Sequence, residues 1–167
     1  MSLNLEGGSS LTAVFATATA GAALTGLSGA ASTYSSSAFG YALNGDHFAK
    51  AAVSAVASPT TDGLTGVAFP AQAINTAAAY VWAVNAAGTV QVFKGPTVTW
   101  TDTSASSTAC PLPAIPGTVT PFAAHTVQNG ATGSAWTFGT SLWNATGISA
   151  ITVRNLAQLR NTPLQTT

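Results

Sequence analysis

The residues able to do chemistry are few and scattered. Asp46-His47 is the only place where a carboxylate and an imidazole are neighbours, His125 is the only other imidazole, and Cys110 is the only thiol. An acid beside a histidine is the pairing that orients a general base toward a serine hydroxyl, yet the chain has no G-x-S-x-G nucleophile elbow. Asp46 therefore reads as a turn acid and His47 as a strand residue, and the chain is expected not to be an enzyme. Glu6, Asp46, Asp62 and Asp102 lie too far apart in sequence to suggest the paired carboxylates of a glycosidase. A metal site needs three or four convergent ligands, and no ligand-spaced pair of His or Cys occurs. No glycine-rich run precedes a Lys and a Ser or Thr at phosphate-loop spacing. No metal or cofactor is expected. Cys110 has no partner for an intrachain disulfide and reads as a small apolar filler before Pro111.

The aromatic residues are the next candidates: Trp82, Trp100, Trp136 and Trp143, with Phe138 two positions after Trp136. Tryptophan on a strand can pack in a core, anchor a protein interface, or stack on a sugar ring. Core packing is the first reading, interface anchoring the second and sugar stacking the last. On a strand, Trp136 and Phe138 share one face, while Trp143 stands beside the Asn144-Ala-Thr-Gly147 turn, where a large ring can lock a loop. The Asn144-Ala-Thr146 sequon itself reads as turn chemistry.

Composition says what kind of surface surrounds these residues. The chain has 167 residues, is 47% hydrophobic and only 5% charged, with four charges of each sign; ordinary globular proteins carry about 25% charged residues. With no basic cluster, nucleic-acid binding is not expected. A neutral surface without repulsion favours association, so the protein is expected to form a homo-oligomer and to work with its surface covered. The segment 11–32 is apolar, but no Lys or Arg precedes it and its apolar residues are mainly Ala broken by Thr and Gly. It reads as neither a secretory signal nor a membrane span, and no membrane partner is expected.

Two regions follow. Residues 1–37, built from Ala, Thr, Ser, Gly and Leu and closed by Ser35-Ser36-Ser37, form a low-complexity N-terminal arm with Leu11 and Phe15 as suspected apolar anchors. Residues 38–167 form a β-rich domain. Asn44-Gly45 is a strong hairpin signal, and the residues after it, through Ala57, read as strand. Tyr80, Trp82 and Val84 alternate with Val81 and Ala83 before Asn85-Ala-Ala-Gly88 turns the chain into 89–94. Residues 97–102 read as a short strand. Prolines at 111, 113, 116 and 121 argue against helix and central strand alike, giving an extended crossing loop before a strand from Phe122 to Asn129. Residues 148–155 make the last strand. Short strands at roughly ten-residue spacing predict an all-β antiparallel sandwich or barrel-like domain carrying the arm.

Four stretches carry a resemblance: "ALNGDHFAKAA" at 42–52 with "TTDGLTG" at 60–66, "VNAAGTVQVFKG" at 84–95, "PLPAIPGTVTPFA" at 111–123, and "GSAWTFGTSLWNATGI" at 133–148. Together they resemble the small β-rich capsid decoration (cement) and head-fibre-like proteins of tailed bacteriophages, over roughly Tyr41 to Pro163. The resemblance implies a structural virion protein, made in the host cytoplasm. It would bind the major capsid protein on the outer surface of the assembled shell, often as a trimer. The arm and the ending "RNLAQLRNTPLQTT" depart from the pattern. The alternative is a fibre or tail-associated carbohydrate-binding domain using Trp100, Trp136 or Trp143.

Overall fold

A computed structural model describes residues 16–17, 24–25, 27, 29–100 and 110–155. Leu11 and Phe15 lie outside the described residues, as do 101–109 and everything beyond Asn155.

Asn44 and Gly45 do what their types require. Both adopt left-handed backbone angles, φ 54° and 89°, closing a two-residue turn between strands β4 (Phe39–Leu43) and β5 (Asp46–Lys50), which pair from Leu43↔Asp46 to Phe39↔Lys50. Strands β3 (Thr33–Ser36) and β6 (Val53–Ala57) continue the same two arms beyond short breaks. The residues after the turn are thus two strands in two sheets rather than one. On β6, Ala55 takes φ 50° and gives its N–H to the Ser35 hydroxyl. The register slips there, between Tyr34↔Val56 and Ser36↔Val53, as expected for a bulge. Strands β1 (Ala16–Thr17) and β2 (Leu24–Thr25) lie antiparallel against β4 and β3. The result is a bent three-stranded meander.

The larger sheet has the order β11 (Ile148–Asn155), β10 (Val119–Asn129), β7 (Thr76–Asn85) and β8 (Val90–Lys94), with β9 (Val98–Thr99) also on β7. Strands β7 (Thr76–Asn85) and β8 (Val90–Lys94) form the predicted hairpin. Its turn is held by the Asn85 side-chain oxygen, which accepts the N–H groups of Ala87 and Thr89. β7 is buried along nearly its whole length, so alternation marks two cores rather than a dry face and a wet one. Tyr80, Trp82 and Val84 enter the main core. Ala83 faces a smaller cluster with Phe93, Val119 and Ile115.

Strand β10 runs from Val119 to Asn129, and β11 from Ile148 to Asn155. Pro121 therefore sits inside a strand with neighbours on both sides, which corrects the expectation of a strand starting at Phe122. β11 pairs only with Ala123–Asn129, so around Pro121 the chain is bonded on one side, to β7. The register slips between Pro121 and Ala123, and the missing N–H leaves no gap in the ladder.

Leu24, Tyr34, Phe39 and Tyr41 from the meander meet Trp82, Phe122 and Val127 from the large sheet in one core, with Phe69, Trp136, Phe138 and Trp143 contributed by loops. Two hydrogen bonds tie the layers at one end: the Tyr41 hydroxyl donates to the Asn85 carbonyl and the Thr120 hydroxyl to the Ala42 carbonyl. Leu24, Leu27 and Tyr34 belong to the segment 1–37, and each is buried in this core. The fold is all-β and antiparallel, without helix among the described residues, and none of its sheets closes on itself.

Candidate functional site

The five aromatic residues singled out in the domain all point inward. Trp82, Trp136, Phe138 and Trp143 are at most 2% exposed and Trp100 is 7% exposed, so none offers a ring face to a ligand. Burial obliges each indole N–H to find an acceptor. Trp136 donates to the Leu142 carbonyl and Trp143 to the Thr33 carbonyl, while Trp82 donates to Nδ1 of His125. The Trp100 indole nitrogen has no acceptor among the described residues. Trp143 does sit beside the 144–147 turn, and through Thr33 it fastens that loop to the meander. Trp136 and Phe138 are not on a common strand face. Trp136 forms a single bridge to Gln72, and the chain turns at once, with Ser141 N–H bonded to the Thr137 carbonyl. Their rings meet edge to face at 6.1 Å.

Polar groups inside this core form two hydrogen-bonded sets, one around Gln72 and one joining Trp82 to His125. Gln72 donates to the Thr76 and Val127 carbonyls and accepts from the Tyr80 hydroxyl, whose ionisation burial pushes up. Asn129 donates to the Gln72 and Ser134 carbonyls. His125 is stacked against Tyr80 and Phe138. Because Nδ1 accepts from Trp82, the ring proton sits on Nε2, which has no acceptor among the described residues. Burial pushes this imidazole from its ordinary 6.5 down to about 3, so it is neutral. His47, by contrast, is on an exposed strand beside Asp46. The two imidazoles do not share a site. Cys110 is half-buried, and burial raises its thiol pKa.

The charges follow a pattern absent from the sequence reading. Asp46 and Lys50 stand on β5 and Arg154 on β11, each an edge strand, and Lys94 stands on β8, the other edge of the large sheet. Asp62 runs beside β8, bridged to Val92. All the charged residues that the structure describes are therefore on or against sheet edges, where a charge disfavours pairing with any strand that does not complement it.

The β8 edge carries an open depression with both apolar walls and charge. It has a volume of about 510 Å³ and lies between the 62–70 loop and Lys94-Gly95. Asp62 builds it. Its Oδ1 accepts the N–H groups of Leu64 and Thr65 and the Thr65 hydroxyl, and Oδ2 accepts the Lys94 N–H. Gly63 donates to the Val92 carbonyl, and a side chain there would collide with Phe93, whose Cζ would be 2.8 Å from its Cβ. The loop so fixed displays Leu64 and Val67, 58% and 65% exposed, above the buried Phe69. Burial lowers the Lys94 pKa, an effect that Asp62 partly offsets. The sequence signal was the Asp-Gly-x-Thr-Gly run at 62–66, whose Asp caps its own following N–H groups. What it could not disclose was Lys94, thirty-two positions away.

Asp62→Ala removes acceptors from three backbone N–H groups at once. The expected loss is about 1–3 kcal/mol of folding stability, measured by urea titration with tryptophan fluorescence. A loss under about 0.5 kcal/mol would show that water replaces the carboxylate without consequence.

No family model, characterised protein or solved structure matches the chain.

Proposed function

We propose that the protein is a structural component of a virion, a decoration protein that binds the outer surface of a phage capsid as a homo-oligomer, a trimer by the resemblance noted above. The observation that carries the mode of action is the placement of charge. Charged groups guard the sheet edges, the remaining described surface is uncharged, and the rigid 62–67 turn holds aliphatic side chains in water. Such a surface suits many identical, modest contacts on a repeating lattice, where multivalency supplies the occupancy. The interlocked aromatic core keeps one shape, which a repeating contact requires. The sugar-binding alternative called for solvent-facing tryptophans, and Trp100, Trp136 and Trp143 are interior.

The test is addition of the purified protein to expanded heads lacking it, with occupancy counted by cryo-electron microscopy and mass spectrometry. Regular, saturable density on the capsid is expected, together with an oligomer by light scattering. A monomer that leaves heads bare, or density confined to tail or fibre, defeats the proposal. The arm is tested separately with a deletion confined to residues 1–15, because Leu24, Leu27 and Tyr34 are core residues whose removal would destroy the fold.

A further inference from the structure

The cleft on the β8 edge has a chemistry of its own. The Lys94 ammonium has three N–H donors and spends two on neutral oxygens, the Gly95 carbonyl at 3.3 Å and the Thr97 hydroxyl at 2.6 Å. Asp62 is the neighbouring anion, but both its oxygens are engaged by backbone N–H groups. Among the described residues the cation therefore keeps a free donor at the edge of an apolar trough. The backbone adds a second feature. Gly95 gives its N–H inward to the Ala79 carbonyl, and strand alternation then turns the N–H and carbonyl of Lys94 to the outer side. The outward N–H is the one that Asp62 accepts. The outward carbonyl lies on the same side and has no partner among the described residues. A fatty acid would use the cation and the trough and have no need of that acceptor.

We propose that this cleft docks an extended peptide segment of a partner protein in which a carboxylate side chain stands beside aliphatic residues. The carboxylate meets the Lys94 ammonium, the aliphatic groups lie against Leu64, Val67 and Phe69, and a peptide N–H bonds the Lys94 carbonyl. The volume of about 510 Å³ falls within the ~300–1,000 Å³ typical of ligand sites. The remaining Lys94 donor selects a carboxylate oxygen, and the outward Lys94 carbonyl selects a peptide N–H. The inference stands apart from the virion proposal: heads can stay bare while the cleft binds its peptide, and the reverse.

The experiment pans a displayed library of random heptapeptides against the full-length protein. Enriched sequences should carry Asp or Glu flanked by Leu, Ile, Val or Phe. A synthetic enriched peptide should bind Lys94→Met about ten-fold more weakly, as should the Leu64→Ser/Val67→Ser double variant. Its affinity should also fall at ~0.5 M salt. Lys94→Met keeps the aliphatic stem, and an unchanged melting temperature confirms that its fold is intact. No enrichment, a basic or uncharged consensus, equal binding to Lys94→Met, or decanoate binding in place of any peptide overturns the proposal.

Discussion

Acidification is expected to remove a large part of this protein's stability through His125. His125 is neutral in the folded core, with its pKa moved from 6.5 to about 3 by burial, whereas in the unfolded chain it takes up a proton near its ordinary value. The unfolded state thus binds more protons across this window, so stability is full above about pH 6.5 and falls as the pH drops. By pH 3.5 the loss is roughly 4 kcal/mol, and it levels off below about pH 3. That is a large part of the ~5–15 kcal/mol that stabilises a typical domain. Geometry explains the resistance to protonation: Nδ1 already accepts the Trp82 indole N–H at 2.8 Å, and a proton there would set donor against donor. Thermal unfolding followed from pH 7 to 3.5 is the measurement. His125→Phe should start about 1–3 kcal/mol less stable, because the Trp82 N–H is orphaned, and then lose far less on acidification. A wild-type melting temperature flat down to pH 4 would contradict the assignment of a buried neutral ring.

Trp136→Ala should be the most damaging of the tryptophan truncations on the 133–147 loop, at about 3–5 kcal/mol. The indole packs on Tyr80, Phe138 and Trp143, and its N–H closes the loop on the Leu142 carbonyl. Its backbone exchanges two hydrogen bonds with Gln72, at 2.7 and 2.9 Å, and Gln72 in turn holds Asn129 and Tyr80. Removing the ring therefore opens a cavity and loosens the polar set at its side. Trp136→Phe, which keeps much of the packing and loses the N–H, should cost about half as much. Urea titration with near-ultraviolet circular dichroism reads both effects. A loss below about 1 kcal/mol for Trp136→Ala would mean the ring is not a core element.

Both predictions depend on contacts distant in the chain, and this decides what could be foreseen. The turns were legible because their chemistry is local. Asn44-Gly45 tolerates two left-handed residues, and Asn85 accepts N–H groups two and four positions on. Pro121 departs from the sequence expectation because a local rule about proline says nothing of where the neighbouring strand stops. The aromatic residues stand out in the sequence by type, but the inward orientation of each one rests on partners far off in sequence. Trp143 reaches Thr33 across 110 positions and Trp82 reaches His125 across 43. The cleft was invisible for the same reason, since Asp62 and Lys94 meet only when β8 is laid beside the loop.

The sequence by itself determined that the chain is all-β, where its tight turns fall, and that its surface carries almost no charge. These follow from residue type, spacing and composition, which act within a few positions or need no geometry at all. Only the tertiary structure decided that the tryptophans are core rather than contact surface, that a neutral histidine lies among them, and that the charges gather at strand edges. Burial and pairing are properties of residues brought together from across the chain, and no short window of sequence contains both partners.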